Sequence, residues 1–133
     1  MIDIIIVTHG NYGKELVATS ELIAGEQEHI QTIGFCLGEN VDDLRKAIKK
    51  AIAKTRKQCE LLILTDMKSG SPFNVTCSLM QDYEFDHITG INLPLFLEIL
   101  CSRDSMDLKM IKQTIMSDGM KTLFDVNELL KEE

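Results

Sequence analysis

Ile2-Asp3-Ile4-Ile5-Ile6-Val7-Thr8-His9-Gly10 is the stretch on which the fold turns. A short Ile/Val run is too brief for a core helix, and the polar Thr8-His9-Gly10 ends it, so Ile2 to Val7 reads as a buried strand at the centre of a sheet. Working outward, Tyr12 opens a segment in which Leu16, Thr19, Leu22 and Ile23 recur at helical spacing, and Gly25 supplies a stop. Ile30 to Phe35 predicts a second strand. Val41, Leu44, Ala47, Ile48, Ala51 and Ile52 then stripe a second helix, with Arg45, Lys46, Lys49 and Lys50 on its other, solvated side. Leu61 to Thr65 is a third strand, and Asp66-Met67-Lys68-Ser69-Gly70 leads into Ser71-Pro72. Ser before Pro predicts a helix start, with Ser71 capping free amides and Pro72 in the first turn, where its missing N–H costs nothing. That helix places Phe73, Val75 and Leu79 toward the core. A fourth strand is expected near His87 to Ile91, a helix from Pro94 through Leu97 and Leu100, and another over Met106 to Met116. After Gly119, Met120 to Phe124 can pair as a strand before a closing helical turn or tail.

Strands alternating with helices predict a doubly wound α/β fold, mainly parallel, with helices on both faces. The 133 residues, 44% hydrophobic and 26% charged, suit a single domain covering 1–133, and no repeat or Pro/Gly-rich linker divides it. Fourteen Lys and Arg against 21 Asp and Glu leave a net charge of -7, which repels a phosphate backbone, so nucleic acid is not an expected partner. A protein with a basic face suits this charge better. The apolar runs fall far short of the roughly 20 residues that span a bilayer, so no membrane insertion is expected. The start carries no secretory signal pattern, and Cys36, Cys59, Cys77 and Cys101 contain no Cys-x-x-Cys pair. They read as reduced thiols of a cytoplasmic protein, with no function assigned.

In doubly wound sheets a ligand site lies outside the carboxyl ends of the strands, where strand order reverses. The first strand ends at Thr8-His9-Gly10 and the third at Thr65-Asp66, so an imidazole and a carboxylate leave the same sheet edge. A carboxylate accepting one ring N–H fixes the tautomer and frees the other nitrogen as a nucleophile. The amides after Gly70, with Ser71, add a helix start suited to anionic phosphoryl oxygens. Phosphoryl transfer on His9, oriented by Asp66, is coherent chemistry; a loop histidine beside a turn-capping Asp is the other reading of the same spacing. His29 and His87 read as surface or structural residues. No metal site is expected, because the three histidines lack ligand-spaced companions. The glycines form no G-x-G-x-x-G or G-x-x-x-x-G-K-[ST] cradle, so no nucleotide cofactor is expected.

Ile-Ile-Val-Thr-His9-Gly, Gly38-Glu-Asn, Asp66 four residues ahead of Gly70-Ser71-Pro72-Phe73-Asn74, and Gly90-Ile-Asn-Leu-Pro94 follow one another along essentially the whole chain. In this order and spacing they resemble the mannose-type IIA component of the bacterial sugar phosphotransferase system. The resemblance implies sheet order 2-1-3-4, and transient phosphorylation of His9 on Nε2 by the phospho-carrier HPr with onward transfer to a IIB histidine. It also implies that Asp66 hydrogen-bonds Nδ1, that Ser71 contacts the phosphoryl group, and that membrane IIC and IID components act downstream without touching this chain directly. A homodimer exchanging Met120 to Phe124 as an antiparallel strand is implied as well. Met67-Lys68-Ser69-Gly70 departs from the aromatic or apolar residue and then Gly-Gly that many members carry before Ser-Pro. Two other roles fit the chemistry: a regulatory module that senses phosphorylation, and a phosphoryl donor to dihydroxyacetone kinase. Ser71-Pro72-Phe73-Asn74 favours the sugar-transport branch.

Overall fold

The computed structural model describes residues 1–117 and 120–131. Among the described residues ten elements follow one another: β1 (Asp3–His9), α1 (Tyr12–Ala24), β2 (Ile30–Phe35), α2 (Val41–Ala53), β3 (Leu61–Thr65), α3 (Gly70–Leu79), β4 (Asp86–Thr89), α4 (Leu93–Ser102), α5 (Leu108–Ile115) and α6 (Val126–Lys131). The four strands form one sheet of order β2-β1-β3-β4, every pairing parallel. The expected fold class and strand order are observed.

Side chains alternate across the sheet, and both faces are covered, which is why residues 4–7 of β1 and 61–64 of β3 are apolar without interruption. Ile4 and Ile6 of β1, with Leu62 and Leu64 of β3, pack beneath Leu16 of α1, Phe96 and Ile99 of α4, and Ile111 and Ile115 of α5. Ile5, Val7 and Ile63 point the other way, onto Leu44 and Ile48 of α2 and Val75 and Leu79 of α3. Fully burying an aliphatic side chain of this size contributes about 1.5–3 kcal/mol, so the two layers fix the sheet from both sides. Caps add definition at the helix starts: Asn40, Asn92 and Asp107 accept from the amides of Asp42, Leu95 and Met110.

Two expectations need correction. The core face of α1 is formed by Gly13, Leu16 and Ser20, whereas Thr19 is exposed, as are Leu22 (87%) and Ile23 (64%). The small residues let the helix lie close on the sheet: a Cβ at Gly13 would stand 3.0 Å from Ile6 Cγ2. Ser71 does not cap α3. The helix already begins at Gly70, Ser69 precedes it without a side-chain cap hydrogen bond, and Ser71 is its second residue. Met120 to Phe124 is irregular in the single chain, with Leu123 and Phe124 exposed. An exchanged strand needs a second copy's sheet edge, which one chain does not supply. Gly119, expected to precede that strand, lies outside the described residues.

The order β2-β1-β3-β4 puts the topological switch between β1 and β3. From β1 the chain turns into α1 on one face, and from β3 it turns into α3 on the other. The crevice that opens between those two turns is bounded by the ends of both strands.

Candidate functional site

His9 is the last residue of β1, paired with Phe35 of β2, and Asp66 follows directly after β3. Because Val7 pairs with Thr65, the two side chains emerge side by side at the sheet's carboxyl edge. Asp66 Oδ2 accepts the backbone N–H of His9 at 3.0 Å and lies 2.9 Å from His9 Nδ1. Its second oxygen, Oδ1, accepts the Met67 N–H at 3.1 Å. A carboxylate accepts only, so in the neutral ring Nδ1 carries the proton and Nε2 carries the free lone pair. The Asp66 side chain is 14% exposed and that of His9 45%, so the carboxylate is held inside and the ring faces outward.

Gly70 lies against that free nitrogen. A Cβ built on it would stand 2.8 Å from His9 Nε2 and 2.9 Å from Cε1, and the residue takes a φ of +88°. Both observations call for glycine: a side chain would be strained, and it would occupy the space in front of Nε2. The first amides of a helix have no intrahelical acceptor and carry partial positive charge, so the start of α3 at Gly70 and Ser71 offers an anion cradle next to Nε2. The structure therefore brings His9, Asp66 and Gly70 together. Ser71 stands next to Gly70 on the first turn of α3.

Residues not singled out from sequence also build the site. Gly10 has a φ of +53° and its N–H donates to Phe35 O at 2.8 Å, folding the turn after His9 back over β2. Gly34 makes room for it, since a Cβ there would fall 2.2 Å from Gly10 O. A glycine inside a strand pattern is the available signal for such a close backbone approach. Thr8 Oγ1 accepts the Gly13 N–H at 2.9 Å and so joins the turn to α1. Tyr12 donates its hydroxyl to Ile91 O at 2.7 Å, tying the start of α1 to the loop after β4. Burial, with the Asp66 charge nearby, pushes the Tyr12 phenol above its ordinary pKa, so it stays a neutral donor at pH 7.

His29 lies away from this edge, before β2 with a φ of 61° and near Glu28 at 3.8 Å. His87 lies within β4 and makes no part of the His9 pair. Among the described residues no group of three or more His, Cys, Asp or Glu side chains is placed to hold a metal ion. A concavity of about 570 Å³ lies at the opposite edge, where the strands begin, lined in part by Arg56, Lys57, Glu60, Glu84 and Asp86. Its mixed charges converge on no single chemistry. No helix of the described residues is long and apolar enough to cross a membrane.

Comparison with known proteins gives consistent findings. The family model described as "PTS system fructose IIA component" matches residues 3–116. The mannose-specific EIIAB component of the PTS system of Escherichia coli (strain K12) is 38% identical over 104 residues, covering 77% of this chain and 32% of that protein. The chain thus spans about a third of the length of that relative. The PTS system fructose-specific EIIA component of Bacillus subtilis (strain 168) is 33% identical over 110 residues, 82% of this chain and 75% of that one. Among solved structures, phosphotransferase system component EIIA from Streptococcus agalactiae superposes with a TM-score of 0.85 at 31% identity, covering 96% of this chain and 99% of that one.

Proposed function

The chain belongs to the family of mannose- and fructose-type IIA components of the sugar phosphotransferase system, and from that premise we propose that it is a cytoplasmic phosphoryl carrier whose phosphorylated residue is His9. Phospho-HPr supplies the group and a IIB histidine receives it. The observation that carries this reading is the Asp66 Oδ2 contact to Nδ1, which leaves Nε2 as the free nucleophile at the start of α3.

In the forward step the Nε2 lone pair attacks the phosphorus of phospho-HPr, in line with the departing histidine nitrogen of that protein. Asp66 keeps the proton on Nδ1 and steadies the positive charge that the ring gains. The amides of Gly70 and Ser71, with the Ser71 hydroxyl, face the equatorial phosphoryl oxygens and offset their charge. Reversal of the same geometry toward IIB releases the group. Holding nucleophile, phosphorus and leaving group in line lowers the barrier by orientation, so the residues named here suffice for the transfer.

We propose further that the protein is a homodimer exchanging Met120 to Phe124. Support comes from the exposed apolar side chains Leu123, Phe124, Val126, Leu129 and Leu130, a run that a monomer would leave facing water. Light scattering on the eluted protein reads the mass: twice that of the chain is expected, and a monomer at micromolar concentration would overturn it.

A chase experiment tests the carrier role. Protein phosphorylated from radiolabelled phospho-HPr is purified and mixed with candidate IIB proteins of the mannose family. Rapid loss of label to one of them is the expected result. Retention of label against all of them, together with a changed affinity for another protein, would mark a sensor instead.

A further inference from the structure

Cys77 on α3 and His87 on β4 are ten residues apart in sequence and meet in the fold, with Sγ 3.8 Å from Nδ1. The other ring nitrogen, Nε2, lies 2.8 Å from Thr65 Oγ1, and the Thr65 hydroxyl donates to Thr89 Oγ1 at 2.7 Å. An oxygen whose proton is already given to Thr89 can only accept from Nε2–H. The neutral ring therefore carries its proton on Nε2 and turns the Nδ1 lone pair toward the Cys77 thiol. Burial pushes the His87 pKa below its ordinary value, so the ring is a free base at pH 7. The Phe73 ring packs 5.5 Å away, and Asp86, the neighbouring charge on β4, is engaged by Lys112 at 3.2 Å.

We propose that Cys77 is a modification site: a thiol activated by His87 toward small electrophiles, peroxides in particular. The Cys77 S–H gives its proton to His87 Nδ1, and the sulfur attacks one peroxide oxygen. The O–O bond breaks, and the leaving hydroxide takes the proton back from Nδ1 as water. Sulfur is oxidised by two electrons to a sulfenic acid and the peroxide is reduced. Cys77 is partly exposed, so a molecule of this size reaches it. Cys36, although fully exposed, is held protonated by its hydrogen bond to Glu39, which raises its pKa. The pair uses none of the side chains assigned to the phosphoryl chemistry proposed for His9, so the two readings fail or survive separately.

The test treats the folded protein at pH 7 with substoichiometric hydrogen peroxide and dimedone, and maps adducts on all four cysteines by peptide mass spectrometry. Help from a base that takes the thiol proton during attack is set at about tenfold for this contact, below the 10²–10⁴ of a dedicated catalytic base. Cys77 is expected to gain adduct about tenfold faster than exposed Cys101, and the difference should vanish in urea. His87→Gln should slow Cys77 about tenfold and leave Cys101 unchanged. Thr65→Val, which keeps the side-chain volume and removes the acceptor for Nε2–H, should slow it severalfold. The proposal is overturned if Cys77 reacts no faster than Cys101 in the wild type, or if its rate is unchanged in whichever of the two variants folds.

Discussion

One carboxylate oxygen, Asp66 Oδ2, holds His9 at two points, the backbone N–H at 3.0 Å and Nδ1 at 2.9 Å. The double contact fixes the end of β1 and the ring together, so the histidine's position and its tautomer are not independent. Replacing Asp66 with Asn removes the charge and lets the ring adopt either tautomer. Phosphoryl acceptance from phospho-HPr should slow at least about tenfold to a hundredfold, the range seen when a carboxylate that orients a metal-ligating imidazole is removed. Rates of labelling measured with a fixed phospho-HPr concentration check this, with circular dichroism confirming the fold.

Gly70 faces Nε2 so closely that any side chain intrudes. In Gly70→Ala the added methyl would stand 2.8 Å from Nε2, and the φ of +88° would be strained by about 1–2 kcal/mol. The variant should remain folded with a modest loss of stability, yet label about a hundredfold more slowly, because the phosphorus can no longer approach in line. Denaturant titration and labelling on the same preparation separate the two effects.

Gly34 acts at one remove. A Cβ there would meet Gly10 O at 2.2 Å, a backbone atom that cannot swing aside. Gly34→Ala should therefore cost about 1–3 kcal/mol and displace the turn that follows His9, lowering both the melting temperature and the labelling rate. Val at the neighbouring Ile33 position, by contrast, should leave labelling unchanged.

At the other end of β1, Asp3 is buried and accepts from the Arg56 backbone N–H and Nε at 2.8 Å each, and from a terminal guanidinium nitrogen. Burial alone would raise the Asp3 pKa, but the hydrogen bonds and charge of Arg56 outweigh it and hold the carboxyl below its ordinary value. A depressed carboxyl pKa stabilises the fold above the unfolded-state value and loses that contribution as pH falls through the folded one. Wild-type stability should thus drop below about pH 4. Asp3→Asn should be less stable at pH 7 and lose less on acidification, as read by thermal melts across that range.

How far the sequence discloses this molecule depends on which side chains decide each feature. Leu61–Thr65 is found at the expected position because a central strand buried on both faces of a parallel sheet leaves a nearly uninterrupted apolar run. His9 and Asp66 are legible because strand ends at a switch point are few, and only these two bear such groups. The face of α1 is not legible: periodicity gives weight to Leu22 and Ile23, whereas close packing on the sheet selects Gly13 and Ser20. Ser71-Pro72 suggests a cap two residues too late, because a left-handed Gly70 can open the helix without one. The Cys77–His87 contact joins two elements and has no local signature at all.

Phosphorylation of His9 is most directly tested by intact mass after incubation with phosphoenolpyruvate, enzyme I and HPr. A gain of one acid-labile phosphoryl group that requires HPr and disappears in His9→Ala is the predicted result. An unchanged mass for the folded protein, while a control carrier in the same mixture is labelled, would contradict it, as would normal labelling of His9→Ala.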